Sequence, residues 1–522
     1  MKSNLLKVLV LIICILVQSC QPTQVVSTLY APGKFKADSK SKFLKVHIKD
    51  GSLYVLNDWV NDSIDNVIYG QGNYYNFKRD IISFKPKTAV VSDDSHFKIC
   101  YDDISLIETN LMKFHGGKLA SITIVGVPLS VFATYCIINP KACFGSCPTF
   151  YTMNNGKWNL AAEGFSSSIL PVFEKKDIDM LYWTKNEENK LTIKLTNEAL
   201  ETHVIRYANL LVFPHEEGKR VFAATDGEFY STQNQVSPVK CSDENNNCLE
   251  KVEKMDHIER FSMANSENLA RKEELIFSFA NQKGMNSGLI IGSRQTLLTT
   301  YLFYQGLAYS GNYAGYFAAS IENGNKQIKN HVQKLWDKLG GIEVYLKNQS
   351  GNWEKIYQID EMGPIATDVH LIKLPQDIPA NATLKLKMTQ GLWRIDYLAL
   401  TEVLNPVSPV TIQPHEVIKD GKSDDEALRL LNDTTSYFIT WPGDAYLLNY
   451  KLPGESSYEL FLQTKGYYLE WMRDEWLAEQ DVKKARFMFA FPGLYMRKAA
   501  GEFKKSEAEM ENVFWGSRYV QN

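Results

Sequence analysis

Two closely spaced cysteines are the first residues whose types indicate chemistry. Cys143 and Cys147 lie in the segment NPKACFGSCPTFY, with Gly145 between them to permit a tight turn. At this spacing they can form a disulfide, or they can supply two thiolates for redox or metal chemistry. No second pair matches this CxxxC, and the only nearby cation is Lys141. A structural disulfide is therefore the favoured interpretation, with a thiol oxidoreductase as the alternative.

The residues after the cysteine pair predict a β-hairpin that holds it in place. The run 149–152 consists of strand formers, and an Asn-Asn-Gly turn signal at 154–156 precedes an alternating segment at 157–160. We therefore expect the stretch 139–170 to be the structural anchor of a β-rich body.

The N-terminus has the pattern of a secretory signal that ends in a lipid anchor. Residues 1–19 contain an apolar core at 8–17, and LVQSC resembles the lipobox of bacterial lipoproteins, in which cleavage leaves an acylated cysteine, here Cys20. An ordinary signal that happens to end near a cysteine is the alternative. Gln21 in place of aspartate implies, by the same resemblance, sorting to the outer membrane. We expect a tether at 20–42 and a body that faces the periplasm or the cell surface.

The remaining cysteines are disulfide candidates, because export permits oxidation. Six thiols remain beyond Cys20, and six thiols allow fifteen pairings. Distance along the chain favours Cys143 with Cys147 and Cys241 with Cys248. Cys100 and Cys136 are left as the remainder.

Residues 119–138 carry no charge and are long enough to span a bilayer. A lipid on Cys20 fixes the first domain on the export side, so one crossing here would place the rest of the chain in the cytoplasm. Hydroxyl residues and Pro128 also dilute the apolar run. We expect a buried or membrane-lying segment instead of a crossing.

A search for known catalytic motifs is negative. The sequence has no GxSxG, HExxH, Walker loop, GxGxxG or CxxC, and no two of its nine histidines are spaced i,i+4. Carboxylate pairs such as Asp177 and Asp179 are expected by chance among 60 acidic residues, so they do not nominate a hydrolase. No cofactor and no metal site are predicted.

A helical insertion is predicted at 295–339, where the apolar period changes and helix formers accumulate. Tyrosines in it are candidates for a ligand groove, since the ring is apolar and the hydroxyl polar. Packing in a core or interface is the alternative. These tyrosines are Tyr301, Tyr304, Tyr309, Tyr313 and Tyr316.

Length and composition predict a multidomain, mainly β chain with helical insertions (α+β). The 522 residues exceed one ordinary domain, 44% apolar content can fill cores, and a net charge of −3 creates no field that attracts nucleic acid. We expect a small N-terminal β-barrel or sandwich at 43–110, a β-sandwich-like body at 139–404, and a C-terminal domain of strands and helices at 415–522.

Several motifs make the chain similar to a family of bacterial envelope lipoproteins that has no assigned activity. They are NPKACFGSCPTFY, GKWNLAAEGFSSSI, TNEALETH, GSRQTLLTTYLFYQGLAY and GYYLEWMRDEW, which together extend over nearly the whole mature chain. The resemblance implies an exported protein of several domains. It implies no activity and no catalytic or binding residues.

These observations favour a non-catalytic scaffold or binding module, anchored to the membrane by lipid, with an unknown protein or glycan partner. One alternative is an envelope enzyme, either a hydrolase whose carboxylates the sequence does not single out or a thiol oxidoreductase. Another is a subunit of a membrane-bound assembly, which the apolar segment 119–138 favours.

Overall fold

Antiparallel pairing of short strands forms most of the chain. The computed structural model describes residues 23–30, 35, 41, 43–48, 52–75, 96–114, 147–154, 156–181, 189–199, 201–244, 246–280, 286–360, 362–376, 378–441, 443–454, 457–470 and 474–517. The predicted signal, Cys20, the segment 119–138, Cys136 and Cys143 lie outside the described residues. The chain divides into a smaller unit (1–132, 307–328 and 472–482) and a larger unit (133–306, 329–471 and 483–522).

The smaller unit contains one open six-stranded sheet, S1, in the order β1-β6-β2-β3-β4-β5. Its strands are β1 (Thr23–Tyr30), β2 (Leu44–Ile48), β3 (Leu53–Asp62), β4 (Val67–Tyr75), β5 (His96–Cys100) and β6 (Ile104–Phe114). The apolar residues of β2 alternate, so Leu44, Val46 and Ile48 share one buried face. Two expectations differ from this structure. The sheet is not closed into a barrel within the described residues, and β1, which pairs with β6, occupies part of the predicted tether.

The opposite face of β2 carries a buried charge cluster. The Lys45 ammonium lies 3.4 Å from Glu108 Oε2 and 2.5 Å from Glu322 Oε2. Burial lowers the pKa of Lys45, but the two carboxylates outweigh it and the pKa is raised. Because Glu322 ends a helix of the same unit, this cluster ties that helix to S1.

The larger unit contains four antiparallel sheets. Its strands are β7 (Thr149–Asn154), β8 (Lys157–Glu163), β9 (Lys175–Leu181), β10 (Lys190–Thr196), β11 (Glu201–Pro214), β12 (Lys219–Ala223), β13 (Phe229–Val236), β14 (Lys240–Ser242), β15 (Lys272–Ser278), β16 (Ser287–Gln295), β17 (Ile342–Lys347), β18 (Trp353–Ile359), β19 (Asp368–Lys373), β20 (Thr383–Thr389), β21 (Trp393–Val407), β22 (Val410–Ile412), β23 (Glu416–Lys419), β24 (Lys422–Ser423), β25 (Phe438–Thr440), β26 (Ala445–Lys451) and β27 (Tyr458–Glu470).

The sheets have simple strand orders. S2 is β24-β23-β26-β10-β7-β8, and S3 is β22-β11-β27-β9 with β25 also on β11. S4 is β12-β13-β21-β16-β19, and S5 is β14-β15-β20-β17-β18. One core joins S2 to S3 and a second joins S3 to S4. S3 is therefore buried on both faces, which explains why β11 is almost continuously buried.

The helices are α1 (Leu297–Ser310), α2 (Ala314–Glu322), α3 (Lys326–Leu339), α4 (Asp425–Asn432), α5 (Asp474–Ala478), α6 (Val482–Ala490) and α7 (Pro492–Ser517). The first three form the predicted insertion, and the mainly β class with helical insertions is confirmed. No helix in the described part of the chain has the length and hydropathy that a membrane crossing requires.

The structure contradicts a separate C-terminal domain at 415–522. β26 pairs with β10 along its whole length, and β27 pairs with both β11 and β9. Alternation identifies a strand but not its partner, and these partners come from the body. β27 continues to Glu470, and the helices α5, α6 and α7 follow it.

Candidate functional site

Carboxyl groups from three sheets meet in the larger unit. Glu163 ends β8 of S2, Asp177 and Asp179 lie on β9 of S3, and Asp368 begins β19 of S4. Alternate residues of a strand share a face, so Asp177 and Asp179 project together, while Ile178 between them packs in the core that joins S3 and S4. We call Glu163, Asp177, Asp179 and Asp368 the carboxyl cluster.

A backbone loop binds the Glu163 carboxylate. Its Oε2 accepts hydrogen bonds from the N–H groups of Ile365 at 2.7 Å and Ala366 at 3.3 Å. A β-carbon added at Gly363 would overlap the carboxylate, so this approach requires glycine. Burial raises the pKa of Glu163 to about 7, although the two backbone hydrogen bonds lower it. Near neutral pH the group therefore exists in both protonation states, as an acid–base catalyst must.

Asp179 and Asp368 interact with each other within the carboxyl cluster. Burial raises the pKa of Asp179 well above its usual value, and the negative charges of Asp177 and Asp368 add to the shift. Burial also raises the pKa of Asp368 well above its usual value, with the charges of Asp177 and Glu163 adding, while a side-chain hydrogen bond with Asp179 lowers it.

Asp177 is bound to a strained turn. Its Oδ2 accepts a hydrogen bond from the Phe165 N–H at 2.8 Å, and its Oδ1 accepts one from Ile178 N–H at 3.0 Å. Phe165 has φ 38°, a left-handed conformation that costs a bulky residue on the order of 1–3 kcal/mol. Its ring packs on the backbone of Gly466, where a side chain would collide with it. Strain of this kind is frequent at functional sites.

The four residues of the cluster differ in burial. Glu163 and Asp179 are buried, whereas Asp177 and Asp368 are only partly buried. Thr464 is the cross-strand neighbour of Asp177, and its hydroxyl is buried without a hydrogen-bond partner among the described residues.

Cys147 is adjacent to the cluster but is poorly suited to thiol chemistry. The pKa of its thiol is raised well above the usual value, first by burial and then by the negative charges of Glu163 and Glu201. Reactive cysteines need the opposite environment. The geometry therefore does not support a redox role at Cys147. Its predicted disulfide with Cys143 stays a prediction, since Cys143 lies outside the described residues.

A neutral histidine lies beside Glu201. His203 Nε2 is 3.3 Å from Glu201 Oε2, and burial lowers the pKa of His203 to about 3. Glu201 also acts electrostatically on Cys147.

Among the other cysteine candidates, Cys241 and Cys248 lie together. The sulfur atoms of Cys241 and Cys248 lie 2.7 Å apart, and the Cys248 N–H donates to the Cys241 carbonyl at 3.1 Å. Both are free thiols in the structure, as is the exposed Cys100 in the smaller unit. The fold thus brings together the local pair that the sequence favoured.

The five tyrosines are divided between the two units. Tyr301 and Tyr304 are buried in the larger unit, where Tyr301 packs against Phe503 at a centroid distance of 4.9 Å and the Tyr304 hydroxyl donates to Glu470 at 2.9 Å. Tyr309, Tyr313 and Tyr316 belong to the smaller unit. The ligand groove stays a prediction, and Tyr301 and Tyr304 have the packing that the alternative describes.

Sequence reasoning noticed only half of the cluster. It recorded Asp177 and Asp179 as a chance pair and did not nominate Glu163 or Asp368. The available signal was the alternation DID directly before the apolar end of β9, since carboxylates are seldom buried in a sheet without a reason. Among the described residues no group of three or more His, Cys, Asp and Glu side chains is arranged to hold a metal ion.

Comparisons with known proteins do not identify the chain. No protein-family model matches it, and no curated protein matches it. One solved structure with partial similarity is BpGH86A, a β-porphyranase of glycoside hydrolase family 86 from the human gut bacterium Bacteroides plebeius. The match has 6% identity and a TM-score of 0.16 and covers 48% of this chain and 39% of that one. Such a low score establishes neither fold nor function.

Proposed function

We propose that this protein is a hydrolase whose acid–base groups are Asp179 and Asp368, with Glu163 adjusting their proton affinity. The observation that carries the proposal is the meeting of these carboxyl groups from three sheets in one cluster, where burial raises their pKa values. Clustered titratable groups with strongly raised pKa values are functional-site candidates. The strained Phe165, whose N–H donates to Asp177, supports the same location.

The chemistry needs only these groups and one water molecule. The ionised carboxylate of the Asp179–Asp368 pair accepts a proton from the water, whose oxygen attacks the substrate. The protonated carboxyl gives its proton to the leaving group as the bond breaks. The pair again holds one proton afterwards, so one water is consumed and no other reactant is needed. Glu163 adjusts the proton affinity of the pair through its own charge.

The test is turnover on a panel of chromogenic envelope glycans and peptides. We expect wild-type turnover, and a loss of roughly 100-fold or more in Asp368→Asn and Asp179→Asn, with circular dichroism showing that both variants are folded. Asp226→Asn is the matched control, because Asp226 is a surface aspartate paired with Lys373 at 2.7 Å. If the wild type binds a glycan or peptide of the panel but does not turn it over, the hydrolase proposal is contradicted. The result would then favour the binding module that the sequence predicted.

The cellular location of the protein is a second part of the proposal. We propose that Cys20 carries lipid and holds the protein at the outer membrane, which is supported by the lipobox-like LVQSC. Cys20→Ala should weaken membrane retention of the body while the body still folds. Mass spectrometry of the wild-type N-terminal peptide that finds no acyl chain on Cys20 would contradict the anchor.

A further inference from the structure

The corner between α6 and α7 exposes two large apolar side chains. Phe491 is 58% exposed and Leu494 is 54% exposed, beside the Pro492 that starts α7. The corner is well ordered by hydrogen bonds, since the N–H groups of both Leu494 and Tyr495 donate to the Phe491 carbonyl at 3.0 Å. These residues therefore stay exposed on a fixed part of the surface.

The same corner is strongly basic. Residues 483–498 contain five lysines and arginines and no acidic residue, in a chain whose net charge is −3. Arg486, Arg497 and Lys498 are exposed, and no carboxylate pairs with them among the described residues. Arg497 and Lys498 follow Leu494 by three and four positions, so they lie on the same face of α7.

The opposite face of α7 is buried. Its inward residues include Tyr495, Met496, Ala499 and Phe503, which pack into the larger unit. The exposed face of α7, with Leu494, Arg497 and Lys498, is therefore distinct from the face that packs into the core. Its apolar tip followed by cations is the arrangement by which interfacial helices insert side chains among acyl chains and bind anionic headgroups.

We propose that the surface formed by Phe491, Leu494, Arg486, Arg497 and Lys498 docks on a bilayer that contains anionic phospholipid. Charge complementarity selects this partner, because each cation near an anionic membrane adds attraction while the two apolar side chains enter the interface. The proposal is independent of the carboxyl cluster and of lipid at Cys20. It provides a second membrane contact, and two weak contacts together retain a protein better than one.

The experiment uses the full chain with a photoreactive phenylalanine analogue at position 491. Irradiation with vesicles of phosphatidylethanolamine and phosphatidylglycerol should give lipid adducts, detected by mass spectrometry, and pure phosphatidylcholine should give few. The double variant Arg497→Glu and Lys498→Glu should lower the adduct yield roughly tenfold or more. The analogue at Ile258, an apolar residue of the same unit that is 59% exposed, is the control.

The outcomes are decisive because the readout is local and does not depend on the anchor. Adducts at 491 that equal those at 258, or that ignore the charge variant, would overturn the proposal. Adducts to a second copy of the chain in place of lipid would also overturn it and identify a protein interface. Equal melting temperatures of the variants show that folding does not explain the difference.

Discussion

Gly363 lies directly against the carboxylate of Glu163, and an added β-carbon there would overlap both oxygens. This contact brings the N–H groups of Ile365 and Ala366 within hydrogen-bonding range of Oε2. Position 363 therefore controls how the Glu163 carboxylate is bound, although it carries no side chain of its own.

Gly363→Ala should displace this loop and weaken both the protein and its proposed activity. We expect a loss of about 1–3 kcal/mol in the free energy of unfolding, as for other overpacked sites. Urea denaturation measures it. Gly501→Ala is the control, because a β-carbon at Gly501 meets open space in α7, and alanine there should be neutral or slightly stabilising. Equal stability of the two variants would contradict the contact.

Glu163 should make the protein less stable as the pH rises. Its pKa in the folded chain is raised from 4.5 to about 7, so the folded state holds the proton over a range in which the unfolded state has lost it. Stability is therefore lost as the pH rises from about 4.5 to about 7, by on the order of 3 kcal/mol for this group.

Glu163→Gln removes the titration and keeps an acceptor for the backbone N–H groups. Urea denaturation at about pH 5 and about pH 8 should therefore show a smaller difference in the variant than in the wild type. Asp179 and Asp368 act in the same direction and will keep part of the slope. Identical slopes in the two proteins would show that Glu163 ionises normally.

Lys45 should be the main charge that stabilises the smaller unit. It lies between Glu108 and Glu322, and Lys45→Met leaves both carboxylates buried without their cation, at a cost of about 3–5 kcal/mol. Adding Glu322→Gln should recover part of the loss. The denaturation midpoint measures both effects. Lys98→Met, at an exposed lysine on β5, is the control and should change little.

Cys241 and Cys248 should form a disulfide in an oxidising compartment. Their sulfur atoms already lie 2.7 Å apart, so little movement is required. Peptide mapping without reduction should find the bond, and replacing both residues by serine should lower stability by about 2 kcal/mol, the low end for a short loop. Two free thiols after oxidative preparation would contradict it.

The sequence by itself determined the strands of this protein and the β class, for a local reason. The alternation of Leu44, Val46 and Ile48 indicates which face of the strand is buried. In 295–339 the spacing of apolar residues changes to that of a helix. The CxxxC stretch predicted β7 and β8, both of which are present.

Only the tertiary structure decided which strands are partners and which acids meet. β26 pairs with β10 and β27 pairs with β11, although long stretches of chain separate them. Which strands pair depends on the whole core and not on the strands themselves. For the same reason Asp368 and Glu163, more than 200 residues apart, reach the cluster only through the packing of S2, S3 and S4. A pKa near 7 is then a property of that burial, which no single residue encodes.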